Sequence, residues 1–438
     1  VQLKRVAAGN FMQTRHTKFL ESTEYTPLEE LKRIQAENLC AMMTHAVQNI
    51  PFYKRLKEKL SLTPETAFED IQKFPIVNKA IITSDPEAFI DSNTPYMYKM
   101  VTGGTSRVRI EVMRDKSSLI KRNDEYFDRL SGIYPGMCRL IFSITERDYR
   151  ADCSEYKDYS SSNLTRTYHV RPEPLTEEKL IYMYNLYIKK KPRIIKGNAY
   201  TVAQFAKYIE ENNLEHFDVP VIRCYGLKLM PEYSNYIRRI FKTEVFDAYG
   251  ATETNFIASQ CHEHSGMHYT PPTHFLECVD KYGREVEIDT LGSLVVTSLS
   301  HFAMPIIRYE IGDYASLSSD TCKCGRTSPK IKAVYGRVME KIVTNTGILN
   351  IKEFDDIMSK FLTLSDYQGI QKEKNKLEVT LVCKNDKLTN VEEEVIRNSI
   401  TDKIGNDIYI DLIYKSNIKT EHNAKIIRLM PFEYYENR

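Results

Sequence analysis

Two sets of residues in this sequence have the types and spacing to do chemistry. The first is a series of short segments in fixed order: Thr102-Gly103-Gly104-Thr105-Ser106, Asp247-Ala248-Tyr249-Gly250-Ala251-Thr252-Glu253, the run RYEIGD ending at Asp313, Gly336-Arg337, and the late Lys425. Glycines let backbone N–H groups crowd around an anion, and Thr and Ser hydroxyls add donors. The same composition also makes an ordinary hairpin turn. It is neither a Walker A loop nor a GxGxxG fingerprint. Glu253 follows a strand; beside a phosphate its carboxylate needs a cation between them, and otherwise it reads as a surface acid. The two oxygens of Asp313 suit a vicinal diol, and its bland reading is a turn aspartate after Gly312.

The second set is Cys261, His268, Cys322 and Cys324. Two thiolates in C-x-C and a Cys–His pair seven residues apart suit one tetrahedral N/S site of the kind Zn²⁺ takes. His262 and His264 compete as ligands, and buried free thiols without metal are the alternative. Such a zinc would be structural, because nothing nearby provides an open catalytic position. Nine cysteines, an odd number mostly spread singly, argue against a disulfide framework.

These residues need elements to hold them. At 438 residues the chain is long enough for two or three domains. With 42% hydrophobic and 27% charged residues it reads as globular rather than disordered. A net charge of +2 gives no global drive toward nucleic acid or an anionic membrane, and KKKPR (189–193) reads as a solvated helix end. Apolar runs at 139–145, 192–198, 219–226 and 244–250 read as strands buried on both faces, with helices at 202–213 and 230–241 between them. That alternation implies a parallel sheet flanked by helices, an α/β fold. From about 265 to 335 a β-rich subdomain is expected. Beyond it, helix 352–362, strands 377–383 and 407–414, helix 391–404 and a strand near 425–430 predict a small α+β domain. The expected division is 1–336 and 337–438. Thr26-Pro27-Leu28-Glu29 reads as a capping box with proline at the first helical position. The uncharged run 290–307 reads as a buried strand plus turn rather than a membrane span. The charged N-terminus lacks a signal-peptide core, so the cytoplasm is the expected compartment. His169 and His274 have no partner visible in sequence.

Together with IPFYKRL near residue 50 and the stretch through FPIVNKAIITSDPEAF, the ordered segments resemble the phenylacetate–CoA ligase branch of the adenylate-forming (ANL) superfamily, which includes capsular-polysaccharide-type relatives. The resemblance covers about residues 50–430. It implies a large N-terminal domain, a mobile C-terminal lid, and a two-step reaction. A carboxylic acid and Mg·ATP give acyl-AMP and pyrophosphate, and the acyl group then passes to CoA. The branch points to an aryl or arylacetyl acid, whereas the polar ITERDYRADC (144–153) hints at a polar or hydroxylated one. Passing the acyl group to an amine or a carrier-protein thiol is the alternative, and a degenerate nucleotide-binding protein without catalysis is a second. The resemblance implies phosphate contacts from Thr102, Gly103, Gly104, Thr105, Ser106 and Thr252, and Mg²⁺ at Glu253. It also implies stacking by Tyr249 beside Gly250, ribose contacts from Asp313 and Arg337, and Lys425 over the reacting carboxylate and α-phosphate. Lys419 is the fallback for that lysine. The family usually continues the first turn with Gly-Lys, where this chain has Ser106-Arg107-Val108-Arg109; Arg107 or Arg109 would supply the cation. Met339 stands where an acid is common, and Ala424 where glycine precedes the lysine. The expected partners are the acid, ATP and CoA, with no nucleic acid and no membrane, and the reading allows a homodimer.

Overall fold

A computed structural model describes residues 15–102, 110–120, 123–142, 159–161, 166–172, 175–318, 320–337, 340–361, 363–383, 387–418 and 428–432. The chain falls into two compact units. The larger holds residues up to Ile311 and Ala315–Ala333; the smaller holds Gly312–Tyr314 and Val334–Arg438. No helix among the described residues is long and apolar enough to cross a membrane.

Strands β1 (Tyr96–Val101) and β2 (Glu111–Asp115) form an antiparallel hairpin. A twelve-stranded sheet holds β3 (Arg139–Phe142), β4 (Tyr159–Ser161), β5 (Thr167–Val170), β6 (Ile194–Gly197), β7 (Val221–Tyr225), β8 (Glu244–Ala251), β9 (Asn255–Gln260), β10 (Met267–Tyr269), β11 (His274–Val279), β12 (Gly292–Ser298), β13 (Tyr309–Ser318) and β14 (Lys330–Arg337). Its order is β11-β12-β13-β14-β10-β9-β8-β7-β6-β3-β5-β4. The expected parallel section is β3-β6-β7-β8, and β5, which was not expected from sequence, extends it beside β3. The β-rich stretch is not a separate sheet: β9 turns back antiparallel to β8, and β10 and β14 continue from it. The uncharged run supplies β12, buried along its whole length.

The parallel strands are apolar because helices cover them. Helices Glu177–Lys190, Ala199–Glu211 and Pro231–Phe241 pack Met183, Tyr187, Phe205, Ile209, Ile237 and Phe241 against Leu140, Ile195, Ile222 and Val245. Each such side chain contributes about 1.5–3 kcal/mol on burial. Thr176 and Asn198 cap two of these helices by accepting the N–H groups of Lys179 and Thr201. Lys189 and Lys190 lie in the last turn of the first, which ends on a left-handed Lys191, so the basic run is a helix end. On the sheet's other face, helix Asp124–Leu130 brings Asp128 to Lys196 of β6 and Arg223 of β7.

One capping expectation fails. Helix Leu28–Asn49 starts after Pro27 with no side-chain cap. The Thr26 hydroxyl donates to Ser22 O, in the turn after the helix over 15–22, and Glu29 pairs with Lys32. The preceding helix end thus takes the hydroxyl that the capping box required.

The smaller unit has its own core. The hairpin β15 (Lys341–Val343) and β16 (Ile348–Asn350) leads into helix Ile351–Met358, closed by an Asn350–Glu353 capping box. A four-stranded sheet holds β17 (Leu364–Glu373), β18 (Lys376–Cys383), β19 (Tyr409–Tyr414) and β20 (Leu429–Met430), in the order β19-β18-β17-β20. Helix Asn390–Ile404 buries Ile396, Ile400 and Ile404 against it. Two strand pairings were not expected from sequence: β15–β16 and β17 against β18.

Candidate active site and metal centre

The Thr102–Ser106 segment lies between β1 and β2 in the chain. Thr102 is buried at its base, where its N–H donates to Ile110 O at 2.9 Å and its hydroxyl oxygen accepts the Ile110 N–H at 2.9 Å. Gly103, Gly104, Thr105, Ser106, Arg107 and Arg109 lie outside the described residues, as do Met339, Lys419, Lys425, Ala424 and the whole of ITERDYRADC.

Tyr249, Gly250, Thr252 and Glu253 share the β8–β9 turn. β8 and β9 pair Tyr249 with Ala258 and Gly250 with Phe256, with an irregularity between the two pairs. A Cβ on Gly250 would lie 2.5 Å from Asn255 O and 2.8 Å from Phe256 Cα, so glycine is required there. Asn255 takes up the tight return with φ +64°. Glu253 is buried, and its Oε1 accepts the hydroxyl of Tyr309 at 2.8 Å. That bond fixes the carboxylate's direction and leaves Oε2 for a second partner. The RYEIGD segment and the YGATE segment, 56 residues apart, therefore meet through one side chain of each.

Arg308 supports this arrangement. Its guanidinium grips the buried Glu277 at 2.8 and 3.1 Å, and Nη1 donates to Phe74 O at 3.1 Å. Val77 and Tyr309 pair as an isolated parallel bridge. The FPIVNK segment is thereby anchored beside the strand that presents Tyr309.

Asp247 precedes the turn. Burial of its carboxyl pushes its pKa up to about 7, against the opposing hydrogen bonds of the Ala248 and Leu229 backbone and the charges of Arg223 and Lys228.

Asp313 lies half-buried on β13 behind Gly312, whose φ is +88°. Arg337 ends β14, after Gly336 at φ +119°. Both belong to the smaller unit.

The turn's backbone carbonyls are held by residues that no motif singles out. Arg114 of β2 donates to Thr252 O, and His274 Nε2 lies 3.0 Å from Thr254 O. A carbonyl only accepts, so His274 carries its proton on Nε2, and Nδ1 accepts from Thr273 Oγ1 at 3.0 Å. His274 thus has partners that its isolation in sequence concealed. Burial brings its pKa down to about 4, so the ring is neutral.

The ligand atoms of Cys261, His268, Cys322 and Cys324 lie within 4.8 Å of one another. Cys261 Sγ is 3.7 Å from Cys322 Sγ, and Cys324 Sγ is 3.4 Å from His268 Nε2. Metal–ligand bonds of about 2.3 Å to sulfur and about 2.0 Å to nitrogen imply tetrahedron edges of about 3.5–3.8 Å. His268 Nδ1 is 3.1 Å from Ser328 O, to which it donates, leaving Nε2 unprotonated toward the thiols. Burial holds the His268 pKa at about 4, which keeps the imidazole in the neutral form a metal binds. Burial pushes the Cys261 thiol up to about 12. Burial also acts to raise Cys322, but hydrogen bonds from Ser265, the Cys324 backbone and the neighbouring thiols bring it below the usual value. The competing histidines point elsewhere: His262 pairs with Glu263 at 3.3 Å, and His264 stacks on Phe246.

No protein-family model matches the chain. Over 403 residues it is 24% identical to Protein CapK of Staphylococcus aureus, covering 86% of this chain and 84% of that protein. It is 20% identical over 347 residues to the phenylacetate-coenzyme A ligase of Thermus thermophilus, 73% of each. Among solved structures, a 2-hydroxyisobutyryl-CoA ligase in the postadenylation state, in complex with R3-HIB-AMP, superposes with a TM-score of 0.72 at 17% identity, over 95% of this chain and 92% of the other. ATP-bound MatB of Rhodopseudomonas palustris gives 0.52 at 12% identity, over 76% and 67%. The chain is thus similar in sequence to CapK and to phenylacetate-coenzyme A ligase, and its fold is similar to that of solved adenylate-forming acyl-CoA ligases.

Proposed function

We propose that this protein activates a carboxylic acid with ATP to acyl-AMP and transfers the acyl group to CoA. The observation that carries this reading is the buried contact between Tyr309 and Glu253, which joins two of the ordered segments at one turn. Bound Mg²⁺ would neutralise phosphate charge as pyrophosphate departs, and Glu253 fits that ion because its carboxylate is aimed and one oxygen remains available. Thr252 contributes a hydroxyl at the same turn, and Tyr249 and Gly250 line the approach of the adenine or acyl group. The Gly103–Ser106 backbone would cradle phosphates, while Asp313 and Arg337 would take the ribose. The acid's carboxylate attacks the α-phosphorus in line; no protein nucleophile is required, so positioning and charge complementarity supply the rate. Lys425 would bring positive charge to the transition state.

The substrate class we favour is an aryl or arylacetyl acid. The test is a panel of aryl, arylacetyl and hydroxy acids, scored by pyrophosphate release with Mg·ATP and CoA. Release with an aryl or arylacetyl acid, accompanied by the acyl-CoA, is expected. Release with hydroxy acids alone would move the substrate class, and release without thioester would move the acceptor to an amine or carrier thiol.

We also propose that Cys261, His268, Cys322 and Cys324 hold a structural Zn²⁺. The distances match tetrahedral edges, and Ser328 sets the tautomer of His268. The ion would tie the loop after β9 to the C-x-C turn, on which Thr327 donates to Thr26 O and Arg326 pairs with Glu24.

A further inference from the structure

Lys196 and Arg223 stand opposite each other on the adjacent parallel strands β6 and β7. Like charges in that position repel, and here they do so out of water: Arg223 is 2% exposed and the Lys196 side chain 12%. Arg139, on the neighbouring β3, joins them. One carboxylate, that of Asp128, faces all three. Its Oδ1 accepts from Lys196 Nζ and, at 2.5 Å, from Arg223 Nη1, and its Oδ2 lies 3.7 Å from Arg139 Nη1. Asp247, on which the Arg223 charge also acts, does not restore the balance. It is in register with Cys224, on the opposite face of the sheet, and burial brings its pKa to about 7. Burial also lowers the pKa of Lys196, and the Arg223 and Arg139 charges add to that effect against Asp128.

Arg223 marks where an anion belongs. Nη1 is taken by Asp128, while Nε and Nη2 are buried and meet no acceptor among the described residues. These two nitrogens share one edge of the guanidinium, the edge that grips both oxygens of a carboxylate. A buried charge left short of partners is costly unless a ligand completes it. The Phe256 ring lies 5.0 Å from the guanidinium carbon, and Tyr225 meets that ring edge-on at 5.6 Å. Both rings are half-buried. Phe256 pairs with Gly250 of the β8–β9 turn, and Tyr225 ends β7. Ligands of parallel α/β sheets gather beyond the carboxyl ends of the strands, and Lys196 and Arg223 sit just below those ends.

We propose that Arg223 and Lys196 form an anion subsite at the floor of the acyl pocket, and that the acid activated here is an aromatic one carrying a second carboxylate. The aromatic body lies against Phe256 and Tyr225. One carboxylate pairs with Nε and Nη2 of Arg223, which leaves the other to face the α-phosphorus. An acid with a single carboxylate is drawn in the wrong way round, its reacting group held on Arg223. The inference rests on the adenylation reading and deepens it by naming the substrate class.

The test is exchange of pyrophosphate into ATP with phenylacetic acids bearing a ring carboxylate at the ortho, meta or para position, each against its methyl counterpart. For at least one position the carboxylated acid is expected to have a kcat/KM about tenfold or more above that of the methyl acid. Arg223→Met is expected to lower that ratio by about tenfold, and Lys196→Met by about threefold; the second variant decides the matter if the first does not fold. A merely structural fault lowers exchange with both acids alike and leaves the ratio unmoved. No preference for a carboxylated acid in the parent, or an undiminished preference in a folded variant, overturns the subsite. Exchange with the methyl acids alone removes this proposal and leaves the adenylation reading standing, whereas no exchange with any carboxylic acid removes both.

Discussion

Tyr309 gives Glu253 its direction through one hydrogen bond of 2.8 Å in a buried setting. A hydrogen bond to a charged group is worth about 1.5–3 kcal/mol, so its loss from a transition state slows the reaction about ten- to hundredfold. Tyr309→Phe removes the hydroxyl and little volume. It is expected to lower acid-dependent pyrophosphate release by that factor and the melting temperature by about a few degrees, with the protein still folded at assay temperature; full activity would show that the bond does not aim the carboxylate. At this scale the sequence was legible where residues sit in ordered segments. Glu253, Gly250 and Asp313 were singled out by the order of their segments, since each taken alone also reads as an ordinary turn or strand-end residue. Arg114 and His274 were not. They come from two distant strands, and nothing in spacing tells a buried polar contact from an ordinary strand residue. Tyr309 was legible as part of a segment, but its contact with Glu253 was not, since pairing across 56 residues is a property of the fold.

At the scale of elements, the β8–β9 turn and the C-x-C turn each depend on neutral buried histidines. His274 has a pKa of about 4 in the fold against about 6.5 in an unfolded chain. Above pH 6.5 it is neutral in both states and exacts no penalty. Between 6.5 and about 4 the unfolded chain takes up a proton that the folded chain refuses, so stability falls as pH falls through that window. His274→Gln keeps a donor for Thr254 O and does not titrate. Its denaturation midpoint is expected to decline less steeply than the parent's over that range; equal slopes would contradict the account. The C-x-C turn makes a separate prediction. Purified protein should carry about one zinc per chain by elemental analysis, and a chelator should lower the melting temperature. Cys324→Ser should lose the metal, and full-length protein free of zinc with an unchanged melting temperature would refute the site. The clustering of Cys261, His268, Cys322 and Cys324 was legible in the sequence, because thiols and an imidazole are uncommon enough to stand out, and their side chains do meet within 4.8 Å. What failed at this scale was the Thr26 capping box, which a neighbouring helix end pre-empted. The strands β15, β16 and β17 were missed as well. β17 alternates only partly buried residues, LSDYQGIQKE, and its polar composition hides the face that packs on the core.

Across the whole molecule, alternating apolar runs were enough to read a parallel α/β sheet, because helices cover one face of β3, β6, β7 and β8 and much of the other face is buried as well. The continuity of that sheet through β9, β10 and β14 into β11–β13 was not legible, since strand order beyond nearest neighbours is set by packing rather than by composition. The smaller unit has a core of its own, from Ile342 to Leu429, which suits the proposed role of a lid that brings Lys425 to the reaction and withdraws it. The measurement that bears most directly on this account is acid-dependent exchange of pyrophosphate into ATP, made on the parent protein and on Lys425→Ala. We predict exchange by the parent with at least one carboxylic acid, its loss by about a hundredfold or more in the variant, and retained transfer to CoA when the corresponding acyl-AMP is supplied. No exchange with any acid would contradict the central claim, and undiminished exchange in the variant would contradict the role given to the lysine.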